Sequence, residues 1–247
     1  RKTSLDTINE HLVELKRMIE RSIPGIHVVH KPDVWKLQCS NEGATVKIEV
    51  NGTKRGIIGS TQDLMLCAKA QEEFNMACKA RTVSFSQLYG GKITAALSRQ
   101  HPRDLFDCKY MEIESFADVK DGFMLCLLGS DKPIIESLSP HQIDQSDALE
   151  KQFEGMSDIP FSYSDYEVAR HHLVQMVNDN LTEADKRFLI SYEKGEPEWS
   201  LCSSGYLGDY PSVKWKLQNI NKLRNTNTKK FEESIAKLTD YFGLKMH

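Results

Sequence analysis

The residue types most able to do chemistry lie between residues 89 and 107, in the run YGGKITAALSRQHPRDLFD. Acidic residues outnumber basic ones over the whole chain, 35 to 32. From residue 74 to residue 103, however, the chain carries no aspartate or glutamate and five cations, namely Lys79, Arg81, Lys92, Arg99 and Arg103. A local excess of positive charge attracts anions such as phosphate groups. The stretch therefore predicts a phosphate-binding site.

Lys92 and Arg99 are spaced to share one face of a helix, because seven residues make about two helical turns. A proline after Arg99 can begin a second helix, which places Asp104 and Asp107 close to its start and on a common face. Two interpretations of the aspartates stay open. Either they act in the chemistry of the site, or they only stabilise the helix start and pair with Arg99 and Arg103.

The order of these residues resembles a family signature. Residues 88–107 follow the pattern L-Y-G-G-K-I-x-A-A-L-x-R-x-x-P-R-D-L-F-D, which is similar to the AbiEii/AbiGii toxin family of nucleotidyltransferases. The likeness covers nearly the whole chain from about Ser4, including VKIEVN (46–51), AQEEF (70–74), KGEPEWSL (194–201) and VKWKLQNI (213–220). The resemblance implies a nucleotidyltransferase fold with a helical C-terminal portion. It also implies transfer of a nucleoside monophosphate from a nucleoside triphosphate to an acceptor.

The resemblance assigns a role to each charged residue of the signature. Lys92 would be a catalytic residue that binds the triphosphate of the incoming nucleotide. Arg99 and Arg103 would bind phosphate and neutralise charge that develops on the transferring phosphoryl group. Asp104 and Asp107 would be catalytic residues that hold or orient the reacting groups.

The chain departs from the family pattern at two motifs. Family members carry a glycine-glycine-serine/threonine turn and then an acidic D-x-D pair that holds the metal, and neither occurs in a suitable place in this sequence. Since the chain also begins with Arg1 rather than Met, we expect it to be a fragment that is inactive alone. Mg²⁺ is expected for the full-length protein, because two-metal phosphoryl chemistry needs carboxylates around the metal.

Glu49 is the candidate for a further metal-binding acid. Residues 44–51 alternate as a strand, with Val46, Ile48 and Val50 on one face and Glu49 on the other. By resemblance, a strand next to the D-x-D strand supplies another carboxylate. The alternative is an exposed strand glutamate paired with Lys47 or a neighbour.

We expect this protein to be the toxin of a bacterial toxin–antitoxin or abortive-infection system and to act in the cytoplasm. Its substrates would be a nucleoside triphosphate and an RNA or protein acceptor, and an antitoxin protein is a possible partner. The alternative is a non-catalytic module that binds nucleic acid or an antitoxin through the same basic residues. The six cysteines show no metal-ligand spacing, and no apolar run approaches the roughly 20 residues that span a bilayer.

Periodicity predicts an α+β protein with a small antiparallel or mixed sheet and a mostly helical C-terminal portion. We divide it into residues 1–84, the remainder of a nucleotidyltransferase core, and a helical domain, residues 85–247. In the first part, the pattern predicts a helix over 4–21 and strands over 26–30, 34–39 and 44–50. In the second part, the pattern predicts helices over 85–98, 103–113, 116–128, 140–153, 163–180, 183–193, 212–224 and 228–242. Ser84 and Gln87 have the spacing of a capping box.

A second basic stretch runs from Ser212 to Lys230 and contains six cations and Trp215 but no acid. Such a stretch could follow a nucleic-acid backbone through phosphate contacts and base stacking. A solvated helix face followed by a polar turn is the other interpretation, because acids resume at Glu232. Both interpretations stay open at the level of the sequence.

Overall fold

The computed structural model describes residues 5–50 and 56–244. The chain divides into two compact units, residues 1–54 and residues 55–247. The elements are helices with small antiparallel sheets, so the predicted α+β class is confirmed. The division at residue 84 into a nucleotidyltransferase core and a helical domain stays a prediction.

The first unit is a three-stranded antiparallel sheet with one helix packed on it. Its elements are α1 (Leu5–Ser22), β1 (His27–Lys31), β2 (Lys36–Asn41) and β3 (Ala44–Glu49), with strand order β1-β2-β3. The alternation of apolar residues explains the packing, because Val28, Leu37 and Cys39 are buried together with Leu12 of α1. Val46 was expected on this apolar face but is 60% exposed. Helix α1 packs on β1 and β2, so the edge strand β3 is less covered.

The second unit begins with a short sheet that sequence analysis missed. Strands β4 (Gln62–Met65) and β5 (Lys79–Thr82) pair antiparallel, and helix α2 (Ala68–Phe74) lies between them in the chain. None of the residues in these three elements is buried. Hydrophobic periodicity arises from one-sided burial. An element with no buried face therefore gives little signal in the sequence.

Helices form the rest of the second unit and share one large apolar core. Helix α5 is its centre, since every residue from Gly122 to Leu128 is buried. The helices are α3 (Phe85–Arg99), α4 (Pro102–Lys109), α5 (Lys120–Leu128), α6 (Ile134–Leu138), α7 (Ser146–Ala148), α8 (Tyr163–Asp179), α9 (Glu183–Glu193), α10 (Pro211–Thr226) and α11 (Thr228–Tyr241).

Three helix predictions were wrong in their bounds. The helix predicted over residues 116–128 is a 3₁₀ turn, Phe116–Asp118, followed by α5 from Lys120. The helix predicted over residues 140–153 begins only at Ser146 and continues as a π-helical segment, Leu149–Phe153. Its start is set by Asp144, whose Oδ1 accepts a hydrogen bond from the Ser146 backbone N–H at 2.9 Å. The helix predicted over residues 103–113 ends at Lys109.

The predicted capping box at the start of α3 forms only in half. The Ser84 hydroxyl accepts from the Gln87 backbone N–H at 3.4 Å, as the spacing requires. The Gln87 side chain does not return to Ser84. Instead its Oε1 accepts from the Ile58 backbone N–H at 2.8 Å, and its Nε2 donates to the Gly56 carbonyl at 2.8 Å. Gln87 therefore joins the start of α3 to an earlier segment of the same unit.

Helices α3 and α5 cross at two glycines. A Cβ atom added to Gly90 would lie 2.1 Å from the backbone nitrogen of Phe123, and one added to Gly122 would lie 2.0 Å from the Ser86 carbonyl oxygen. Both distances are far below van der Waals contact, so only glycine allows the two backbones to approach this closely. Gly91 differs, because its added Cβ would meet only Cys126 Sγ at 3.7 Å. Gly90 of the signature thus has a packing role.

Candidate functional site

Two ion pairs join α3 to α4 and bring the predicted site residues together. Lys92 Nζ lies 2.5 Å from Asp107 Oδ2, and Arg99 Nη2 lies 2.8 Å from Asp104 Oδ1. The four residues therefore form two cation–carboxylate pairs along one helical hairpin, which we call the α3–α4 hairpin. Arg103 was also considered as a partner of the aspartates. Its side chain is exposed and has no ion-pair partner in the described part of the chain.

The pair of Lys92 and Asp107 is open to solvent. The Lys92 side chain is 37% exposed and that of Asp107 is 38% exposed. Ion pairs this accessible contribute only about 0–1 kcal/mol to stability, because water screens the charges and two side chains must be ordered. A phosphate group could therefore replace Asp107 as the partner of Lys92 at little cost.

The pair of Arg99 and Asp104 is asymmetric. Arg99 is 58% exposed, whereas the Asp104 side chain is only 10% exposed. One Asp104 oxygen accepts from Arg99, and the other, Oδ2, is buried without a hydrogen-bond partner in the described structure. A buried carboxylate oxygen without a donor is unfavourable by about 1–3 kcal/mol or more. Asp104 thus carries one buried acceptor oxygen, Oδ2, that no described group satisfies.

The corner between α3 and α4 is built around Gln100. This residue has a left-handed backbone with φ 52°, although it is not glycine, and it is 3% exposed. Its carbonyl accepts from the Tyr166 hydroxyl at 2.9 Å, and its side-chain Nε2 donates to the His141 carbonyl at 2.6 Å. Buried Arg170 donates to the Ile143 carbonyl at 3.0 Å and lies 3.5 Å from Gln100 Oε1. These contacts fix the angle at which α4 leaves α3.

Sequence analysis missed the residues of this corner. Gln100 carries no signal, because glycine and asparagine are the usual residues in a left-handed helix end. Tyr166 and Arg170 lie 66 and 70 residues further along the chain, so no local spacing connects them to the signature.

Cys108 directly follows Asp107 in the sequence, and its surroundings do not suit a nucleophile. Burial, and then the charges of nearby Asp107 and Asp104, raise the pKa of its thiol to about 12. The reactive form of cysteine is the thiolate, which is scarce at neutral pH when the pKa is this high. Cys108 therefore acts as a small apolar residue that packs α4 into the core.

Glu49 lies in the first unit, in a cross-strand ion pair. Its Oε1 is 2.5 Å from Lys36 Nζ, and the two residues are directly opposite in the register of β2 and β3. The hydrogen bond from Lys36 and then the charge of Lys36 lower the pKa of Glu49. The alternative interpretation, an exposed glutamate paired with a neighbour, describes this geometry. A metal-binding role for Glu49 stays a prediction.

The described residues do not fit the expected Mg²⁺. Within residues 5–50 and 56–244, no group of three or more His, Cys, Asp or Glu side chains is arranged to hold a metal. Glu49, Asp104 and Asp107 are each paired with a lysine or an arginine. Mg²⁺ prefers several oxygen ligands in a near-octahedral arrangement. The need for Mg²⁺ in the full-length protein stays a prediction.

The second basic stretch does not form a continuous basic face. Lys216 is only 5% exposed, and Lys214 pairs with Asp209 at 3.1 Å. Arg224 pairs with Glu196 at 3.1 Å and lies over the ring of Phe231. Trp215, in contrast, is 52% exposed. Three of the six cations are therefore engaged within the protein, which weakens the interpretation as a nucleic-acid track.

Comparisons with known proteins give one family. A family model described as "Nucleotidyl transferase AbiEii toxin, Type IV TA system" matches residues 1–219 of the 247. Neither the curated proteins nor the solved structures gave a significant match. In the described part of the chain, no helix has both the length and the hydropathy needed to cross a bilayer.

Proposed function

Because this chain belongs to the AbiEii nucleotidyl transferase toxin family of type IV toxin–antitoxin systems, we propose that it transfers a nucleoside monophosphate from a nucleoside triphosphate to an RNA or protein acceptor. The observation that carries this proposal is the α3–α4 hairpin. It aligns two cations on one helix, holds each by a single carboxylate, and leaves one buried oxygen of Asp104 without a donor.

Lys92 is proposed to bind the triphosphate. In the resting protein Asp107 takes the place of the phosphate as its anionic partner, 2.5 Å away. Both side chains are more than one third exposed, so exchange of the carboxylate for a phosphate oxygen disturbs little of the packing. After the exchange, Asp107 is free to accept a proton or a hydrogen bond from the acceptor.

Arg99 and Arg103 are proposed to neutralise charge on the transferring phosphoryl group. Arginine suits this role, because its guanidinium stays protonated and presents several donors in one plane. Arg103 is exposed and makes no ion pair within the described residues, so its charge is available to a ligand. Asp104 is proposed to hold Arg99 with one oxygen and to orient the attacking group with the other.

An antitoxin protein is the expected partner, since the family is the toxin of a toxin–antitoxin system. Action in the cytoplasm follows from the proposed substrates, which are nucleoside triphosphates and cellular RNA or protein.

A non-catalytic binding module is the second candidate, and one observation favours it. Asp104, Asp107 and Glu49, the carboxylates assigned to the chemistry, are each neutralised by a neighbouring cation. In such a module the α3–α4 hairpin would bind an antitoxin or RNA without any covalent step.

The test is to incubate the full-length protein with each labelled nucleoside triphosphate and with total RNA or cell extract. Label that becomes covalently attached to RNA or protein, and that depends on Lys92, supports transfer. Tight binding of RNA or antitoxin without covalent label under every nucleotide condition would instead support the binding module.

A further inference from the structure

A cavity of about 410 Å³ lies in the second unit. It is lined by the loop after α5, by α6, by the last residue of α9, and by α10 and α11. Its volume falls within the range of about 300–1,000 Å³ that is typical of small-molecule sites. None of the residues assigned to nucleotide transfer lines it.

Glu193 supplies a buried carboxylate to this cavity. The residue is 6% exposed, and its Oε1 accepts from the Ser234 hydroxyl at 2.6 Å. Its Oε2 is buried and has no hydrogen-bond partner in the described structure. Ionised carboxylates only accept hydrogen bonds, so Oε2 requires a donor. Glu193 lines the cavity, so a ligand that reaches its carboxylate and donates a hydrogen bond would satisfy Oε2.

Two lysines that line the cavity, Lys216 and Lys132, do not supply that donor. Lys216 Nζ is bonded to the Lys132 carbonyl at 2.6 Å, to Ser130 Oγ at 3.2 Å and to the Leu127 carbonyl at 3.3 Å. An ammonium group has three donors, so those of Lys216 are used. Burial lowers the pKa of Lys216 to about 8. The Lys132 ammonium donates to the carbonyl of Ser98 at 2.5 Å.

Three further carboxylates line the cavity, those of Asp131, Glu136 and Glu233. None of them, and not Glu193 either, makes an ion pair within the described residues. Two lysines of α11, Lys230 and Lys237, also line the cavity and are exposed. The formal charges balance, so selection depends on the local partner of each group rather than on a net field.

Trp215 completes the chemistry of the cavity. It lines the wall and is 52% exposed, and the apolar side chains of Ile220 and Leu223 line the same cavity. Tryptophan is the best aromatic partner for an ammonium or guanidinium group. A buried carboxylate, an accessible indole and an apolar wall together suit a cation carried on an aliphatic stem.

We propose that this cavity binds a small organic cation, an ammonium or guanidinium group on an aliphatic stem. The cationic group donates to Glu193 Oε2 and lies against Trp215, and the stem packs on Ile220 and Leu223. Two sources share this chemistry: a free amine, and an arginine or lysine side chain of a protein.

Calorimetric titration of the full chain at pH 7 and low salt tests the proposal. The probes are putrescine, agmatine and N-acetyl-argininamide, a blocked arginine. Saturable 1:1 binding of at least one probe is expected. Agmatine binding more tightly than the blocked arginine assigns the site to free amines, and the reverse order assigns it to a protein side chain.

Three variants localise the binding. Glu193→Gln keeps the shape and the contact with Ser234 but removes the charge, and it should lower affinity about tenfold or more. Trp215→Leu alters an exposed side chain, so it should fold and should lower affinity about fivefold. Glu232→Gln, an exposed acid of α11 outside the cavity, is the matched control and should bind as the parent does.

The proposal is overturned by the absence of binding of all three probes to the parent chain. It is equally overturned if the affinity is unchanged in both Glu193→Gln and Trp215→Leu. Either result would mean that water, or a lysine of the cavity itself, satisfies Glu193.

Discussion

Lys92 and Lys216 are both lysines of helices in the second unit, but they are surrounded in opposite ways. Lys92 is 37% exposed and has one charged partner, Asp107. Lys216 is 5% exposed and bonds to neutral oxygens of the backbone and of Ser130. The first lysine keeps its charge available for an incoming anion, whereas the charge of the second is used to hold the protein together. A count of basic residues cannot separate these two roles.

The largest expected effect is on catalysis, from Lys92→Ala in the full-length protein. Loss of one preorganised cation at a polyphosphate commonly lowers a rate by roughly a hundredfold or more. The unfolding free energy should change by less than about 1 kcal/mol, because the ion pair with Asp107 is exposed. Label transfer and melting temperature are measured on the same preparations.

The matched control for this variant is Lys79→Ala. Lys79 is an exposed cation of β5 in the same acid-free stretch of the sequence. It should retain normal transfer. If Lys92→Ala keeps near-normal activity, or loses it only through unfolding, then Lys92 resembles Lys216 and its role is structural.

A second pair of variants tests whether the hairpin is held rigidly on α5. Gly90→Ala places a methyl group against the backbone of Phe123 and should destabilise the protein by about 3 kcal/mol. Gly91→Ala meets only a cysteine sulfur at 3.7 Å and should be neutral or stabilising by roughly 0.5–1 kcal/mol. Urea unfolding of both variants measures the difference. Equal effects would show that the crossing of α3 and α5 is looser than described.

The contribution of Lys216 should depend on pH. Its pKa is about 8 in the folded protein, because burial disfavours the charge, and 10.5 is its ordinary value. At a pH between these two pKa values, the unfolded chain binds a proton that the folded chain does not, so the free energy of unfolding rises with pH. This free energy should rise by up to about 3 kcal/mol more in the parent than in Lys216→Met.

Chemical unfolding at pH 7.5 and pH 10.5 measures this difference. Other groups that titrate in the range, such as tyrosines, are common to both proteins and cancel in the comparison. An identical pH dependence in the parent and in Lys216→Met would mean that Lys216 is not desolvated.

The smallest expected effect is that of Arg99→Ala. We expect label transfer to fall about tenfold, because a phosphate contact is lost while Lys92 remains. The variant should also be less stable by roughly 1–3 kcal/mol, since Asp104 is then left buried without its partner. A fall in activity as large as that of Lys92→Ala would mean that the two cations act as one unit.

The parts of the fold that sequence analysis found are those with local signals. Helix α9 was predicted with its exact bounds, because Thr182 caps its start and Gly195 follows its end with φ 76°. The pairing of Asp104 with Arg99 was one of the alternatives left open by the spacing of the signature. The sheet of β4 and β5 was missed, since its residues are exposed and show no buried face.

The parts that sequence analysis could not reach depend on distant residues. Asp107 was expected to pair with an arginine if it paired at all, but it pairs with Lys92, 15 residues earlier. The burial of Lys216 results from carbonyls more than 80 residues away in the chain. The charge of a lysine is fixed by its type, whereas its surroundings are fixed by tertiary contacts that no local pattern encodes.

The corner at Gln100 has a consequence for the energetics of ligand binding. Contacts from Tyr166, from Arg170 and to His141 hold it from two other segments of the chain. The α3–α4 hairpin is therefore already in one backbone conformation before any anion arrives. A ligand that binds it loses its own freedom and displaces Asp107, but it does not have to order the receptor. Affinity at such a preorganised site reflects the strength of the contacts themselves.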